Sequence, residues 1–383
     1  MDFAQSEDQK SVVSLAADIF ADHCSDEKLQ TFARSAAPLD SDLWRVVGEA
    51  GLAGIGIAEA AGGNGFGVLE TVLLLEQAGR FLAPAPLRQT IGAAQTLAHA
   101  GPAMADIVAK AAAGSVILAS ACEETGGAWQ TPSPTAQRHS NGWMLDGVRT
   151  AVEYGSEADF LLVSATIEGE GPALFLVPAD HDGVTRAAQQ GTDPVPLSLV
   201  TLNEVALDAD AMIDDGTGPA ETLRRHLGRM RVLLCASQLG IVSQALERTA
   251  RYTSERVQFG RPIGSMQAVQ QRCADAFMDV EAIRSTLWRA AWLMDQGVFD
   301  EAEIAAAKYW AAHGGHRVTH TAQHLHGGMG ADVTYPIHRF FLAAHAVALG
   351  LGGAQPMLAQ LGSLIAAGDA RRLSAIGDGR DEV

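Results

Sequence analysis

About one hundred residues, from Gly114 to Ile213, carry short apolar runs broken by turn residues, and they lie between two longer stretches of helical periodicity. The runs are 115–121, 142–147, 158–164 and 173–178. Each is too short for a helix and is bounded by Gly, Asp, Ser or Pro, so each reads as a strand. Before them, Val12, Leu15, Ala16, Ile19 and Phe20 recur at helical spacing, Ser41 is placed to cap a helix bearing Leu43, Trp44 and Val47, and an apolar helix is expected over 68–81. After them, Leu239, Val242, Leu246 and Ala250 mark one helix, and Phe277, Val280, Ile283 and Leu287 mark the next. Asp300 and Glu303 form a capping pair for a third. Gly352, Gly353 and Pro356 break the last helical region in two. The pattern predicts an α+β chain with an N-terminal helical domain (1–113), a middle β domain (114–213) and a C-terminal helical domain (214–383). The glycine-rich 62–67 reads as a structural loop, because no Lys-Ser/Thr follows it as a phosphate loop requires. The tail with Asp378, Gly379, Arg380, Asp381 and Glu382 is expected to be mobile.

The chain has 27 basic against 45 acidic residues, a net charge of −18, which argues against nucleic acid as its partner. At 48% hydrophobic and 19% charged, its 383 residues can bury a sizeable core. Cys24, Cys122, Cys235 and Cys273 are too far apart in sequence to form a metal-ligand or redox pair. The N-terminal residues lack the basic and apolar regions of a signal peptide, and no run of 18 apolar residues is present. The expectation is a cytoplasmic protein without membrane insertion.

Two segments carry chemistry. Residues 252–267 place Arg256, Phe259, Gly260 and Gln267 around a helix end. A guanidinium presents paired donors to phosphate oxygens, and a glycine lets the backbone turn with positive φ. The plainer reading is a helix C-terminus, stopped at Gly260 and kept from resuming by Pro262. The second segment is His326-Gly327-Gly328-Met329-Gly330. At this spacing the two segments resemble the signatures of the acyl-CoA dehydrogenase family of flavoproteins, and the order of segments from Met1 to about Ala367 is similar too.

The resemblance implies an acyl-CoA dehydrogenase-like fold with a C-terminal four-helix bundle, FAD as cofactor, an acyl-CoA substrate and an electron-transfer flavoprotein as electron acceptor. It also implies a homo-oligomer, or a hetero-oligomer with a homologue. Carried over by position, Arg256 pairs with the FAD diphosphate, Phe259 packs on the cofactor beside the Gly260 turn, and Gln267 meets the adenosine end. Gly327 and Gly328 bring backbone amides to the adenosine diphosphate, and His324 stands where the family usually has Gln. The flavin-contacting Thr-Glu-Pro segment corresponds to Ala121-Cys122-Glu123-Glu124, and the segment usually bearing a Trp corresponds to Ala151-Val152-Glu153. Cys122 and Glu153 therefore count as flavin-side positions. Arg231 matches an Arg on the substrate side and is a candidate for the CoA phosphates.

The general base departs from the family. The two positions where the family carries a Glu hold Leu351 and Met230 here, and 343–363 contains no Asp or Glu. A positioned base contributes roughly 10²–10⁴-fold, so its loss is not neutral. Three accounts follow: a Glu-bearing partner subunit supplies the base, as in mixed assemblies of the family acting on bulky acyl-CoAs such as steroid side chains; another carboxylate (Glu153, Glu123 or Asp332) replaces it; or the scaffold serves another reaction. The leading reading is a dehydrogenase of CH–CH bonds that relies on a partner. The alternatives are a non-catalytic subunit completing the FAD pocket and a flavin-dependent oxidase or monooxygenase. His313, His316, His320, His324 and His326 approximate helical spacing, but with no carboxylate or cysteine to complete a set they are read as no metal site.

Overall fold

The computed structural model describes residues 4–35, 37–124 and 131–368. The tail residues 378–382 lie outside that range. Six helices come first: α1 (Glu7–His23), α2 (Asp26–Arg34), α3 (Ser41–Glu49), α4 (Val68–Phe81), α5 (Leu87–Leu97) and α6 (Ala105–Ala112). Asp40, rather than Ser41, caps α3 by accepting from the Leu43 amide at 2.9 Å. The sheet follows, with β1 (Leu118–Ala121), β2 (Thr135–His139), β3 (Gly142–Glu153), β4 (Phe160–Ile167), β5 (Gly171–Pro178), β6 (Val184–Gln189), β7 (Leu197–Asp208) and β8 (Met212–Ile213). The remaining long elements are α7 (Pro219–Glu255), the hairpin β9 (Val257–Gln258) and β10 (Arg261–Pro262), α8 (Gln267–Asp295), α9 (Glu301–His326), α10 (Gly328–Ala331), α11 (Ile337–Leu349) and α12 (Ala354–Ala367).

The strands form one mixed sheet in the order β6-β7-β3-β2-β4-β5-β8, with β1 pairing parallel to β4. β2, β6 and β7 escaped the periodicity reading because their outward residues are polar or exposed, so no apolar run marks them. Register shifts lie between Arg149 and Val152 of β3, where Ala151 takes φ 52°. Such bulges re-aim the residues that follow. Here they carry Glu153 toward α5, whose Arg88 and Gln89 meet it.

The helical core is organised by α7, which is buried on nearly every face from Met230 to Val242. It packs on α4 through bare backbone: a Cβ at Gly240 would stand 1.9 Å from the Glu76 carbonyl oxygen, and one at Gly79 would stand 2.2 Å from that of Ser237. α9 begins where Asp300 accepts from the amides of Ala302 (3.0 Å) and Glu303 (3.2 Å). Glu303 turns to Arg289 instead of closing the expected box. The apolar stretch 337–367 is divided at 350–353, leaving α11 at 13 residues and α12 at 14, each short of the ~20 needed to span a bilayer.

Candidate functional site

The two sequence motifs meet at one corner. α7 stops at Glu255, five residues before Gly260, and Arg256 caps it in an extended conformation. Phe259 (φ 52°) and Gly260 (φ 77°) are the two turn residues of the β9–β10 hairpin. A two-residue loop with both φ positive matches strand twist but strains any residue other than Gly, Asn or Asp, and a phenylalanine there costs about 1–3 kcal/mol. That Phe259 ring is nevertheless 90% exposed, so the described residues of this chain leave it uncovered. Arg256 and Gln267, the first residue of α8, are exposed alongside.

The second motif ends α9. Gly327 takes φ 58° and ψ −133°, a conformation open to glycine, and α10 starts directly after it. A Cβ at Gly327 or Gly328 would touch nothing within 4 Å among the described residues, so neither glycine is demanded by internal packing. His324 is exposed on the last turn of α9. The Tyr252 ring, one turn before Arg256, stacks on His326 with centroids 4.3 Å apart, and its hydroxyl donates to the His326 carbonyl at 3.5 Å. His326 is buried and donates from Nδ1 to the Ala322 carbonyl at 2.7 Å, which leaves Nε2 as a lone pair without a partner among the described residues. Burial keeps this imidazole below its ordinary pKa and hence neutral. Exposed Arg256, an outward aromatic and two bare glycine backbones fit a diphosphate-bearing nucleotide.

The two positions that the resemblance aligns with the family's base are of a different character. Leu351 is 5% exposed, with φ 48°, and Met230 on α7 is buried as well. Charged groups hold the Leu351 backbone at both ends: Glu123 Oε1 accepts from its amide at 2.5 Å, and Arg231 Nε donates to its carbonyl at 3.0 Å. Arg231 also donates from Nη1 to Gln360 at 3.3 Å and is only 6% exposed. Arg231, the candidate for the CoA phosphates, lines the adjoining cavity, with its Nε turned to the Leu351 carbonyl and the charges of Glu301 and Glu123 nearby. Lys308 on α9 donates to the Val347 carbonyl (3.0 Å) and the Ala348 carbonyl (2.9 Å), the unpaired end of α11. Its burial pushes the ammonium pKa down to about 8. A cavity of about 140 Å³ opens beside this cluster, lined by Leu227, Gly228, Arg231, Phe299, Ile304 and Gln360 among others.

On the sheet side, Glu153 pairs with Arg88 and accepts from Gln89 Nε2 at 2.9 Å, so it is a partly buried ion-pair member. Cys122 is 1% exposed, with Sγ 3.7 Å from the Leu162 carbonyl, and burial raises its thiol pKa. Its side chain faces the interior. Arg149, buried between Glu124, Ser164 and the Glu123 carbonyl, fixes the 121–124 segment and thereby aims Glu123 at Leu351. Asp332, named in sequence as an alternative carboxylate, caps the turn at Thr334 (2.8 Å), and hydrogen bonds from that residue hold its pKa low.

Known proteins share this architecture. The acyl-CoA dehydrogenase N-terminal domain matches residues 6–105 and the acyl-CoA dehydrogenase C-terminal domain matches 217–365. Acyl-CoA dehydrogenase FadE27 of Mycobacterium tuberculosis is 37% identical over 378 residues, covering 96% of this chain and 99% of its own length. The chain belongs to the acyl-CoA dehydrogenase family. It is also similar to two solved structures. A variant of the Tcur3481-Tcur3483 steroid ACAD has a TM-score of 0.90 and 41% identity, over 95% of this chain and 99% of that one. The ChsE4-ChsE5 complex from Mycobacterium tuberculosis has a TM-score of 0.89 and 35% identity over 96% and 99%.

For an acyl-CoA dehydrogenase, FAD-dependent oxidation of a CH–CH bond is the family chemistry, and the corner built by Arg256, Phe259, Gly327 and Gly328 suits the nucleotide half of that cofactor. Sequence reading missed Arg88, Gln89 and Lys308, which neutralise or clasp the groups around the cleft. A lone Lys amid alanines on α9 was the available signal for Lys308, since a charge on a core face needs partners.

Proposed function

We propose that this chain is the subunit of a mixed acyl-CoA dehydrogenase assembly that holds FAD jointly with a Glu-bearing homologue and takes its general base from that homologue. The observation that carries this reading is Leu351: hydrocarbon at the base position, buried, its backbone clasped by Glu123 and Arg231. Neither Leu351 nor Met230 can accept an α-proton, and the alternative carboxylates Glu123 and Glu153 hold an amide and a guanidinium. The similar ChsE4-ChsE5 and Tcur3481-Tcur3483 structures, each named as a pair, support a heteromeric setting. The word steroid in one of those names supports a bulky polycyclic acyl-CoA as substrate class.

In this reading Arg256 binds the diphosphate, Phe259 packs against the adenosine portion at a subunit boundary beside Gln267 and His324, and Gly327 and Gly328 offer backbone amides. When bound, FAD supplies the hydride acceptor, and reducing equivalents leave through an electron-transfer flavoprotein. The Arg88–Glu153 pair keeps a net negative charge away from the sheet face, where it would disfavour a reduced anionic flavin. The setting is cytoplasmic.

The test is anaerobic titration with a panel of acyl-CoAs, bulky ones included. The chain alone is expected to leave flavin absorbance unchanged, whereas co-purified with a Glu-bearing homologue it supports bleaching. Arg256→Ala in that assembly should lower flavin content at least tenfold, in keeping with loss of a charge-assisted phosphate contact. Bleaching by the chain alone would remove the partner requirement and return the base to one of the chain's own carboxylates, Glu123, Glu153 or Asp332.

A further inference from the structure

Away from the cleft, three imidazoles converge between α9 and α11. His316 and His320 are four residues apart on α9 and therefore share a face, and His345 on α11 stands opposite. Their nitrogens that can ligate all lie within 4.8 Å of one another. The closest pair, His316 Nδ1 and His345 Nε2, is 2.9 Å apart. Nitrogens bound side by side to one ion at the usual 2.0–2.1 Å stand roughly 2.9–3.4 Å apart, so this pair already has ligand spacing. His320 is exposed and completes the cluster, its ligating nitrogen within that same 4.8 Å.

The tautomers are set in the same sense. His345 Nδ1 lies 2.8 Å from the Phe341 carbonyl oxygen, which can only accept, so Nδ1 carries the hydrogen and Nε2 presents its lone pair toward His316. A carbonyl orienting the far nitrogen is the usual outer support of a metal-binding histidine. The Phe341 ring packs on His345 (centroids 4.3 Å) and edge-on to His320 (5.0 Å), limiting how either ring can tilt. The hydrogen now on His316 Nδ1 only has to move to its own Nε2 for both facing nitrogens to be free. Burial, then mutual repulsion among the rings, lowers the pKa of His316, and the same two causes lower His320, so neutral imidazoles are available near pH 7.

We propose that His316, His320 and His345 form a site for an imidazole-seeking divalent transition metal, Zn²⁺ or Ni²⁺, that clips α11 to α9. An all-nitrogen donor set excludes Mg²⁺ and Ca²⁺, which require oxygen ligands. Three neutral donors leave the remaining positions to water. The clip would act on the same pair of helices that Lys308 already ties at the end of α11, so it steadies the support of the Leu351 segment rather than the reaction itself.

The experiment is calorimetric titration of full-length protein carrying no polyhistidine tag and stripped with EDTA, using ZnCl₂, NiCl₂ and MgCl₂ as probes. One Zn²⁺ or Ni²⁺ per chain in the micromolar range or tighter is expected, with no Mg²⁺ uptake. A hundredfold excess over the dissociation constant should raise the unfolding midpoint by about 3 °C. His316→Ala/His320→Ala, both exposed positions, should abolish the uptake and the shift while leaving the metal-free midpoint unchanged. Absence of saturable binding overturns the proposal, and so does uptake that survives the double substitution, which would locate the ion elsewhere.

Discussion

Arg231 is the residue on which two readings of the cleft diverge, and Arg231→Met separates them. As a substrate-side arginine it would bind CoA phosphate, and its loss would lower acyl-CoA affinity without touching stability. The structure assigns it a different load. It is 6% exposed, donates from Nε to the Leu351 carbonyl at 3.0 Å and from Nη1 to Gln360 at 3.3 Å, and lies close enough to Glu301 and Glu123 to feel both charges. Hydrogen bonds from a charged donor are worth about 1.5–3 kcal/mol each. Methionine fills similar volume but offers no donor, so the Leu351 carbonyl and the Gln360 side-chain oxygen both lose a charged partner. The expected loss is about 4 kcal/mol. For a chain of 383 residues unfolding as one unit, that corresponds to a midpoint fall of about 5 °C.

The same argument fixes the control. Glu123→Gln keeps an acceptor for the Leu351 amide and removes the charge, so combining it with Arg231→Met should recover a good part of the loss, giving a coupling energy on the order of 1–3 kcal/mol. Thermal denaturation of the parent, both single variants and the double variant measures this cycle. If Arg231→Met leaves the midpoint within about 1 °C of the parent but weakens acyl-CoA binding by the assembled complex, the inward role is wrong and the phosphate contact stands.

Two further outcomes follow from packing and charge. Burial, then repulsion from Glu153, pushes the Asp193 carboxyl up to about 7 from 3.8, against the opposing pull of Arg88. The native state thus holds a proton that the unfolded chain releases between about pH 4 and 7. Stability from this group is full at the acid end and falls by up to about 4 kcal/mol as pH rises through that window. Asp193→Asn should remove the fall, and urea midpoints at pH 5 and 8 check it; an unaltered pH slope sinks the assignment. Gly240→Ala puts a methyl 1.9 Å from the Glu76 carbonyl and should destabilise by about 3 kcal/mol or more, as overpacking between two backbones has no flexible side chain to yield. A midpoint within about 1 °C of the parent would show that α4 and α7 cross less closely than described.

Helices were legible where an apolar run is long or a capping residue marks the start. The helix expected over 68–81 is α4, and Asp300 caps α9 as its chemistry suggests. Strands were legible where a short apolar run survives, most clearly in β4 and β5 with both faces apolar, because a strand with one polar face leaves little run to find. The hairpin at 257–262 was not legible. Phe259 occupies a turn position that glycine or asparagine would normally hold, so the local signal pointed to a helix stop at Gly260 instead. That misfit itself has content, since a strained and outward aromatic persists only where something beyond the chain compensates.

The cleft shows the opposite limit. Glu123, Arg231 and Lys308 are separated by more than 70 residues from one another in sequence and carry no shared spacing, yet they close on the 347–351 backbone from three directions. No periodicity could bring them together, because the convergence depends on Arg149 aiming one strand end and on α7 and α9 crossing beneath α11. Clamps of this kind fix the backbone of whatever side chain the segment carries. In a segment whose side chain is leucine, the same clamps hold a wall in place. The proposal of a borrowed base therefore rests on the identity of the side chain at 351, while Glu123, Arg231 and Lys308 account for how firmly that segment is held.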